Sequence, residues 1–190
     1  MKTIPLIIAL LWTTLAFAAP EVGQAAPAFS AQTADGKTVK LSDFAGKVVV
    51  LEWYNPECPF SRKFYSVGKM PEFQNQAIAQ GAIWLSINSG GKISNLKSSA
   101  ASDHNAATAV IDDADGKMGK AYGAKTTPHC FVIGKDGKLI YKGAIDSVSS
   151  PRPSDIEGAT NYVMAAVTAS LAGKTPAQTN TKPYGCGVKY

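Results

Sequence analysis

A buried strand that leads into a cysteine at the start of a helix limits the possible folds of this chain more than any other part of its sequence. Residues 48–53 form an apolar, β-branched run, which is typical of a strand covered on both faces. Asn55-Pro56 then predicts a turn, and Pro59 favours the first position of a helix. Cys58 is therefore expected at a helix N-terminus, where unpaired N–H groups and the helix dipole favour a thiolate.

Two cations follow Cys58 along the expected helix. Arg62 falls one turn further on the same face, and Lys63 lies close by. Both positive charges would favour the ionised form of the thiol. The alternative is a buried structural thiol that packs as a small hydrophobic side chain. The sequence thus predicts a reactive thiol at Cys58 and leaves the structural alternative open.

The first residues of the chain have the pattern of an export signal. Lys2 precedes a mostly apolar run over residues 4–17, and Ala16-Phe17-Ala18 fits the small-residue rule before a cleavage site. This run is short for a membrane span. We therefore expect residues 1–18 to be a cleaved signal peptide and the protein to be periplasmic or secreted, with no membrane association after cleavage. An uncleaved anchor is the alternative.

The composition restricts the classes of function. The three cysteines, Cys58, Cys130 and Cys186, would lie in an oxidising compartment, and their odd number leaves at least one unpaired in a monomer. Their spacings match no zinc motif and the two histidines stand alone, so we expect neither a metal nor another cofactor. The net charge of +5 comes from scattered lysines, which does not indicate a nucleic-acid partner.

Turn signals and hydrophobic periodicity predict strands that alternate with helices. Asp35-Gly36 indicates an N-terminal hairpin, and Met70-Pro71 should interrupt the first long helix. Repeated strand and helix segments imply a parallel sheet centre, and the turn over 134–137 adds an antiparallel edge. The expected strands lie at 48–53, 82–87, 108–112, 125–133 and 138–142, and the expected helices at 59–69, 71–80, 94–107, 117–122 and 155–171.

Together, these motifs resemble the thioredoxin fold. The resemblance is carried by the strand before Cys58, by Thr127-Pro128 ahead of another strand, and by a Lys-Asp-Gly hairpin. Residues 36–47 resemble the start of the redoxin branch, which includes alkyl hydroperoxide reductase and thiol-specific antioxidant proteins. Residues 182–190 are similar to the tail of peroxiredoxin-like proteins, which commonly ends in Gly-Cys-x-Ile/Val-Lys-aromatic.

This resemblance implies an α/β architecture of the thioredoxin-like type. A central mixed sheet would be flanked by helices, with an N-terminal β-hairpin and a C-terminal tail that contains a cysteine. The expected domain covers residues 22–174, and the tail, residues 175–190, would pack back on it.

Neither enzymatic signature of the resembled proteins is complete. A Cys-x-x-Cys pair would need a second cysteine at position 55 or 61, where this chain has Asn55 and Ser61. The peroxiredoxin pattern Pro-x-x-x-Thr-x-x-Cys would need proline and threonine where Leu51 and Asn55 stand. The Asn55 amide is a hypothetical donor toward a thiolate or a peroxide oxygen.

A nucleophilic Cys58 permits two reactions. Attack on a peroxide gives a sulfenic acid, and attack on a disulfide gives a mixed disulfide. Both products need a resolving thiol, and Cys186 is favoured because the resemblance places a cysteine in that tail. A structural Cys130–Cys186 disulfide is the alternative, although Cys130 lies in an apolar strand and is more typical of a core thiol.

The resemblance also implies a cis peptide bond before Pro128. This bond would bring the Thr127 backbone beside the Cys58 sulfur and form an edge for an extended substrate strand. His129 is expected to pack or to tune the thiol by its charge. Trp53 is either a wall of the site or a core residue.

Three hypotheses for function follow. The preferred one is an exported, antioxidant, peroxiredoxin-like enzyme that reduces peroxides through Cys58. The alternatives are a thioredoxin-type thiol–disulfide oxidoreductase and a redox-inactive module that holds a peptide. The expected partners are a peroxide or disulfide substrate and a thiol reductant, either a protein or a small thiol. The candidate catalytic residues are Cys58, Cys186 as the resolving cysteine, Asn55, Arg62, Thr127 and Pro128.

Overall fold

The computed structural model describes residues 19–91 and 93–190. The expected signal peptide, residues 1–18, lies outside the described residues. Among the described helices, none combines the length and apolar character needed to cross a membrane.

A seven-stranded mixed sheet forms the centre of the molecule, in the order β2-β1-β5-β4-β3-β7-β8. Strands β3, β4 and β5 are parallel to one another, whereas β7 and β8 form an antiparallel edge, as the sequence predicts. A separate two-stranded ladder joins β6 to β9. The strands are β1 (Ser30–Thr33), β2 (Thr38–Lys40), β3 (Val49–Trp53), β4 (Ile83–Ser89), β5 (Ala109–Asp113), β6 (Thr126–Thr127), β7 (His129–Ile133), β8 (Leu139–Gly143) and β9 (Cys186–Gly187).

Helices cover both faces of this sheet and give the α/β thioredoxin-like architecture. Short 3-10 turns lie at Leu41–Phe44 and Pro153–Ile156. The helices are α1 (Pro59–Tyr65), α2 (Lys69–Ala79), α3 (Leu96–Ser102), α4 (Lys117–Tyr122) and α5 (Tyr162–Leu171).

Strand β3 lies between two apolar cores. Val50 packs on the side of α1, α2 and α5, whereas Leu51 and Trp53 pack on the side of α4. Every residue of β3 is buried, as expected from its apolar sequence. Burial of each large apolar side chain contributes roughly 1.5–3 kcal/mol, so the strand that delivers Cys58 is held rigidly from both faces.

The helix break expected at Met70-Pro71 lies elsewhere. Helix α1 ends at Tyr65, the chain turns at Gly68 with a φ of 73°, and α2 begins before the proline. Pro71 is accommodated because the first-turn N–H groups of a helix have no intrahelical partner. The first intrahelical hydrogen bond of α2 runs from the Glu72 N–H to the Gly68 carbonyl.

The prediction of a single helix over residues 155–171 is also wrong. The 3-10 turn ends at Ile156, and the chain then passes through Gly158, whose φ is 78°. Asn161 begins α5 by accepting a hydrogen bond from the Met164 N–H at 2.9 Å. A left-handed glycine followed by an N-cap asparagine therefore divides the predicted helix into two segments.

Candidate active site

Cys58 occupies the N-cap position of α1, and Pro59 is the first residue of the helix. The turn before it is built by Asn55, whose side-chain oxygen accepts from the Glu57 N–H at 2.8 Å and whose carbonyl accepts from the Cys58 N–H at 3.1 Å. The Cys58 carbonyl accepts from the Arg62 N–H at 2.8 Å. The local sequence thus places the thiol at the helix start, as predicted.

The cis-proline loop lies directly against this thiol. The Thr127-Pro128 peptide bond is cis, and the Cys58 thiol donates a hydrogen bond to the Thr127 carbonyl oxygen at 3.0 Å. Only 1% of the Cys58 surface is exposed. The Thr127 hydroxyl is also buried, and so is that of Ser61, which stands where a Cys-x-x-Cys enzyme has its second cysteine.

The C-terminal tail brings Cys186 into the site. Strand β9 pairs antiparallel with β6, so that Cys186 lies opposite Thr127 and Gly187 opposite Thr126. The Val188 N–H continues this ladder by donating to the Lys125 carbonyl at 3.1 Å. Cys186 is partly exposed, and it lies opposite the residue whose carbonyl accepts the Cys58 thiol hydrogen bond. All three cysteines are in the thiol form in this structure.

The pKa values of Cys58 and Cys186 are shifted in opposite directions. Burial raises the pKa of Cys58, but the neighbouring Cys186 side chain and the Ser61 backbone outweigh this effect, and the pKa is lowered. Burial, followed by the hydrogen bond with Cys58, raises the pKa of Cys186 to about 11. Cys58 therefore ionises before Cys186.

The cations expected to favour the thiolate are placed differently. Arg62 is exposed on the surface of α1. Lys63 is buried, and its Nζ lies 3.0 Å from Asp146 Oδ2 and donates to the Val148 carbonyl at 3.0 Å. The charge of Lys63 is therefore paired with Asp146. The pKa of Cys58 is lowered mainly by neighbouring polar groups, first among them the Cys186 side chain.

His129 packs in the interior and supplies no charge to the thiol. It is almost fully buried, and its ring lies 4.4 Å from that of Phe131. Its Nδ1 accepts from the Lys125 N–H at 3.2 Å. Burial, followed by the charges of Lys125 and Lys142, lowers the pKa of His129 to about 3. The ring is therefore neutral near pH 7.

Trp53 and Cys130 are core residues. Trp53 is fully buried, contacts the rings of Tyr122 and Phe131, and donates from Nε1 to the Ser89 hydroxyl at 3.0 Å. Cys130 is also fully buried in β7, and burial raises its pKa well above the usual value. The structure thus brings Cys58, Thr127 and Cys186 together and keeps Cys130 apart.

A buried carboxyl group near the site was not predicted. Glu52 lies in β3, and burial raises its pKa. Its one available signal in the sequence is that it interrupts an otherwise apolar strand. Its carboxylate accepts hydrogen bonds from Trp84 Nε1 at 2.8 Å, Tyr65 OH at 2.9 Å, Ser86 Oγ at 3.0 Å and Gln74 Nε2 at 3.2 Å.

Two tyrosines anchor the tail on either side of Cys186. Tyr184 donates from its hydroxyl to Asp146, which also binds Lys63. Tyr190 donates from its hydroxyl to the Ala124 carbonyl at 2.7 Å. Aromatic residues in a short tail are the signal that could have indicated these anchors. Cys186 is therefore held between two fixed points.

Comparison with known proteins extends these observations. A family model described as the AhpC/TSA family matches residues 22–142, which is more than half of the chain. The chain belongs to the AhpC/TSA family. Among relatives of this AhpC/TSA protein, the thiol-disulfide oxidoreductase ResA of Bacillus thuringiensis subsp. konkukian is 30% identical over 127 residues, covering 63% of this chain and 68% of ResA.

Solved structures show the same fold. A hypothetical protein from Sinorhizobium meliloti 1021 superposes with a TM-score of 0.78 at 24% identity, covering 91% of this AhpC/TSA chain and 96% of its own. A candidate thiol:disulfide interchange protein DsbE from Chlorobium tepidum gives a TM-score of 0.61 at 26% identity, covering 80% and 99%. The thioredoxin-like fold expected from the sequence is confirmed.

Proposed function

We propose that this protein is an exported thiol–disulfide oxidoreductase in which Cys58 is the nucleophile and Cys186 the resolving cysteine. The supporting observation is the β6–β9 ladder, which sets Cys186 opposite Thr127, the residue whose carbonyl accepts the Cys58 thiol hydrogen bond. The relatives named ResA and DsbE support the same chemistry. Export is inferred from residues 1–18 alone.

The reaction balances with these two thiols alone. The Cys58 thiolate attacks one sulfur of a substrate disulfide, and the other substrate sulfur leaves as a thiolate. Cys186 then loses its proton and attacks the Cys58 sulfur of the mixed disulfide, which releases the second substrate thiolate. Two electrons pass from the Cys58/Cys186 dithiol to the substrate, and the two thiol protons end on the substrate thiols. An external thiol must then reduce the Cys58–Cys186 disulfide.

This assignment favours the alternative sequence hypothesis over the preferred one. Peroxide reduction remains a second candidate, because residues 22–142 match the AhpC/TSA family model and residues 36–47 resemble the start of the redoxin branch, which includes alkyl hydroperoxide reductase. In that reaction, Cys58 would attack a peroxide oxygen to give a sulfenic acid and release an alcohol or water. Condensation with Cys186 would then form the disulfide and release water.

A direct test uses the reduced chain without residues 1–18. Oxidised glutathione and hydrogen peroxide are added in separate reactions, and the thiols are followed by peptide mass mapping. We expect glutathione disulfide to produce the Cys58–Cys186 disulfide. The Cys186→Ala variant should stop at a Cys58–glutathione adduct, and Cys130→Ala, the matched control, should behave as the wild type.

Other outcomes separate the hypotheses. Rapid oxidation by peroxide together with inertness toward glutathione disulfide would support the peroxidase. Inertness toward both oxidants would leave a binding module and contradict the proposed enzyme. A disulfide that includes Cys130 in the folded wild type would contradict the assignment of Cys186.

A further inference from the structure

The surface that receives the tail has glycines where the tail approaches most closely. We call this surface the tail groove; it holds residues 184–190 and includes Gly90, Gly119, Asp146 and β6. A Cβ atom at Gly90 would overlap the Lys189 carbonyl, and one at Gly119 would lie 2.6 Å from the Tyr190 ring. The domain therefore has a surface shaped to hold an extended chain.

The residue before the cysteine is selected by the backbone of β6. Gly185 has a φ of 127°, and a Cβ atom there would overlap the Thr127 carbonyl oxygen. That oxygen also accepts the Cys58 thiol hydrogen bond. A side chain at this position would push the strand away from the edge and move its cysteine away from Cys58.

The position before this glycine is an aromatic subsite. The Tyr184 ring lies 5.9 Å from that of Phe60, and the Lys63 ammonium lies 5.7 Å from its centroid. The Tyr184 hydroxyl donates to the carboxylate of Asp146. Stacking, a cation–π contact and an anionic acceptor together favour a tyrosine over an aliphatic side chain.

We propose that the tail groove is also the docking site of the substrate, an extended protein segment in which a cysteine follows an aromatic residue and glycine. This segment would pair with β6 in place of β9, in the register of Tyr184-Gly185-Cys186. The occupant is inferred from the tail itself, which shows what the groove accepts. The inference rests on the proposed function, because it names the substrate of that reaction.

Because the tail and the substrate segment would occupy the same groove, the steps of the reaction follow a fixed order. With the tail docked, 1% of Cys58 is exposed, so a substrate disulfide reaches this sulfur only after the tail leaves. The substrate segment then forms the mixed disulfide with Cys58. When the tail docks again, it displaces the segment and brings Cys186 to the Cys58 sulfur. Resolution of the mixed disulfide and release of the substrate are thus one event.

Peptides that copy the tail test this proposal. The probe is a peptide with the sequence of residues 182–190, whose cysteine carries 5-thio-2-nitrobenzoate as a mixed disulfide. Attack by Cys58 releases this chromophore, and its rate is compared with that of the symmetrical small disulfide of the same chromophore. Matched peptides carry alanine in place of the glycine before cysteine or in place of the tyrosine. We expect the unaltered peptide to react about tenfold faster than either.

A variant of the full chain gives a second measurement. Gly185→Ala should loosen the tail and expose Cys58, so the rates for the unaltered peptide and for the small disulfide should both rise several-fold, while the preference for the unaltered peptide over its alanine variants should persist. The ratio of two rates within one variant cancels any change in Cys58 ionisation. If the variant does not fold, the rates of the peptide series with the wild-type protein still test the shared groove.

The outcomes distinguish the two proposals. Equal rates for the glycine and alanine peptides, with normal reaction of the small disulfide, would overturn the shared groove and leave the oxidoreductase intact. Failure of Cys58 to react with the small disulfide would overturn the proposed function itself. A peptide preference that persists after Thr127→Pro, which removes a backbone N–H from β6, would also contradict strand pairing.

Discussion

The pKa values of Cys58 and Cys186 are shifted in opposite directions. Cys58 sits at a helix start, whereas Cys186 comes from a strand and is the neighbour that most lowers the Cys58 pKa. With the tail docked, Cys58 is the more acidic of the two thiols, and the higher pKa of Cys186 keeps that thiol protonated. In the proposed reaction, Cys186 loses its proton only when it resolves the mixed disulfide.

Removing the Cys186 thiol should make Cys58 less acidic. In Cys186→Ala, the side chain that most lowers the Cys58 pKa is lost, so this pKa should rise. The pH dependence of Cys58 alkylation by iodoacetamide, read by mass mapping, would then shift to higher pH. The Cys130→Ala control should leave the midpoint unchanged. A midpoint that stays in place or moves down in Cys186→Ala would contradict this role of Cys186.

Glu52 should give the protein a measurable pH dependence of stability. Burial raises its folded-state pKa above the ordinary value of 4.5. A carboxyl group raised in this way contributes stability that is present below the unfolded pKa and is lost as the pH rises through the folded pKa. The free energy of unfolding of the wild type, relative to Glu52→Gln, should therefore fall as the pH rises above the ordinary carboxyl value of 4.5.

Urea unfolding at several pH values checks this expectation. Glu72→Gln serves as the control, because Glu72 is an exposed carboxylate that pairs with Lys69 on the surface of α2. A relative stability of Glu52→Gln that does not change with pH, or that changes in the opposite direction, would contradict a raised pKa at Glu52.

At the scale of elements, the boundary between α1 and α2 depends on a glycine. Nothing lies within 4 Å of a Cβ atom built at Gly68, so a substitution there meets only the strain of its φ of 73°. Gly68→Ala should cost about 1–2 kcal/mol of unfolding free energy. Pro71→Ala should change stability much less, since Pro71 lies in the first turn of α2.

Chemical denaturation of the two variants would locate the break. A larger loss for Pro71→Ala than for Gly68→Ala would contradict a helix boundary at Gly68. Measured slopes in denaturant should match the wild type, because neither substitution changes the surface exposed on unfolding.

The ion pair of Lys63 and Asp146 joins α1 to the segment after β8. Both side chains are buried, so removing one partner leaves an uncompensated charge. Asp146→Asn should destabilise the fold by about 3–5 kcal/mol and release Tyr184 from its acceptor. Asp155→Asn, which breaks the exposed pair with Arg152, should have a far smaller effect in the same urea experiment.

The sequence could predict the elements whose signals come from neighbouring residues. The apolar run of β3, the Pro59 helix start and the glycine turns depend on neighbouring residues, and the structure has them where expected. The Lys63–Asp146 pair and the Glu52 network join residues far apart in sequence, and no local pattern announces such contacts. For the same reason, the sequence assigned Arg62 and Lys63 to Cys58, whereas long-range packing directs Lys63 to Asp146.

In the proposed reaction, the tail contributes to both the chemistry and the stability of the whole molecule. A disulfide between Cys58 and Cys186 would close a loop that spans most of the domain, and in the chain-entropy account such a loop stabilises by about 2–5 kcal/mol. The oxidised protein should therefore unfold at a higher urea concentration than the reduced protein. Equal midpoints for the two forms would contradict the pairing, and Cys186→Ala should show no response to the oxidant.

The late position of Cys186 has a consequence for biosynthesis. Along the sequence, Cys58 comes first, then Cys130, and then Cys186. In the proposed export, Cys130 reaches the oxidising compartment before Cys186 and can pair with Cys58 until β7 becomes buried. Rapid folding of the central sheet would bury Cys130 and keep Cys58 available for the proposed disulfide with Cys186.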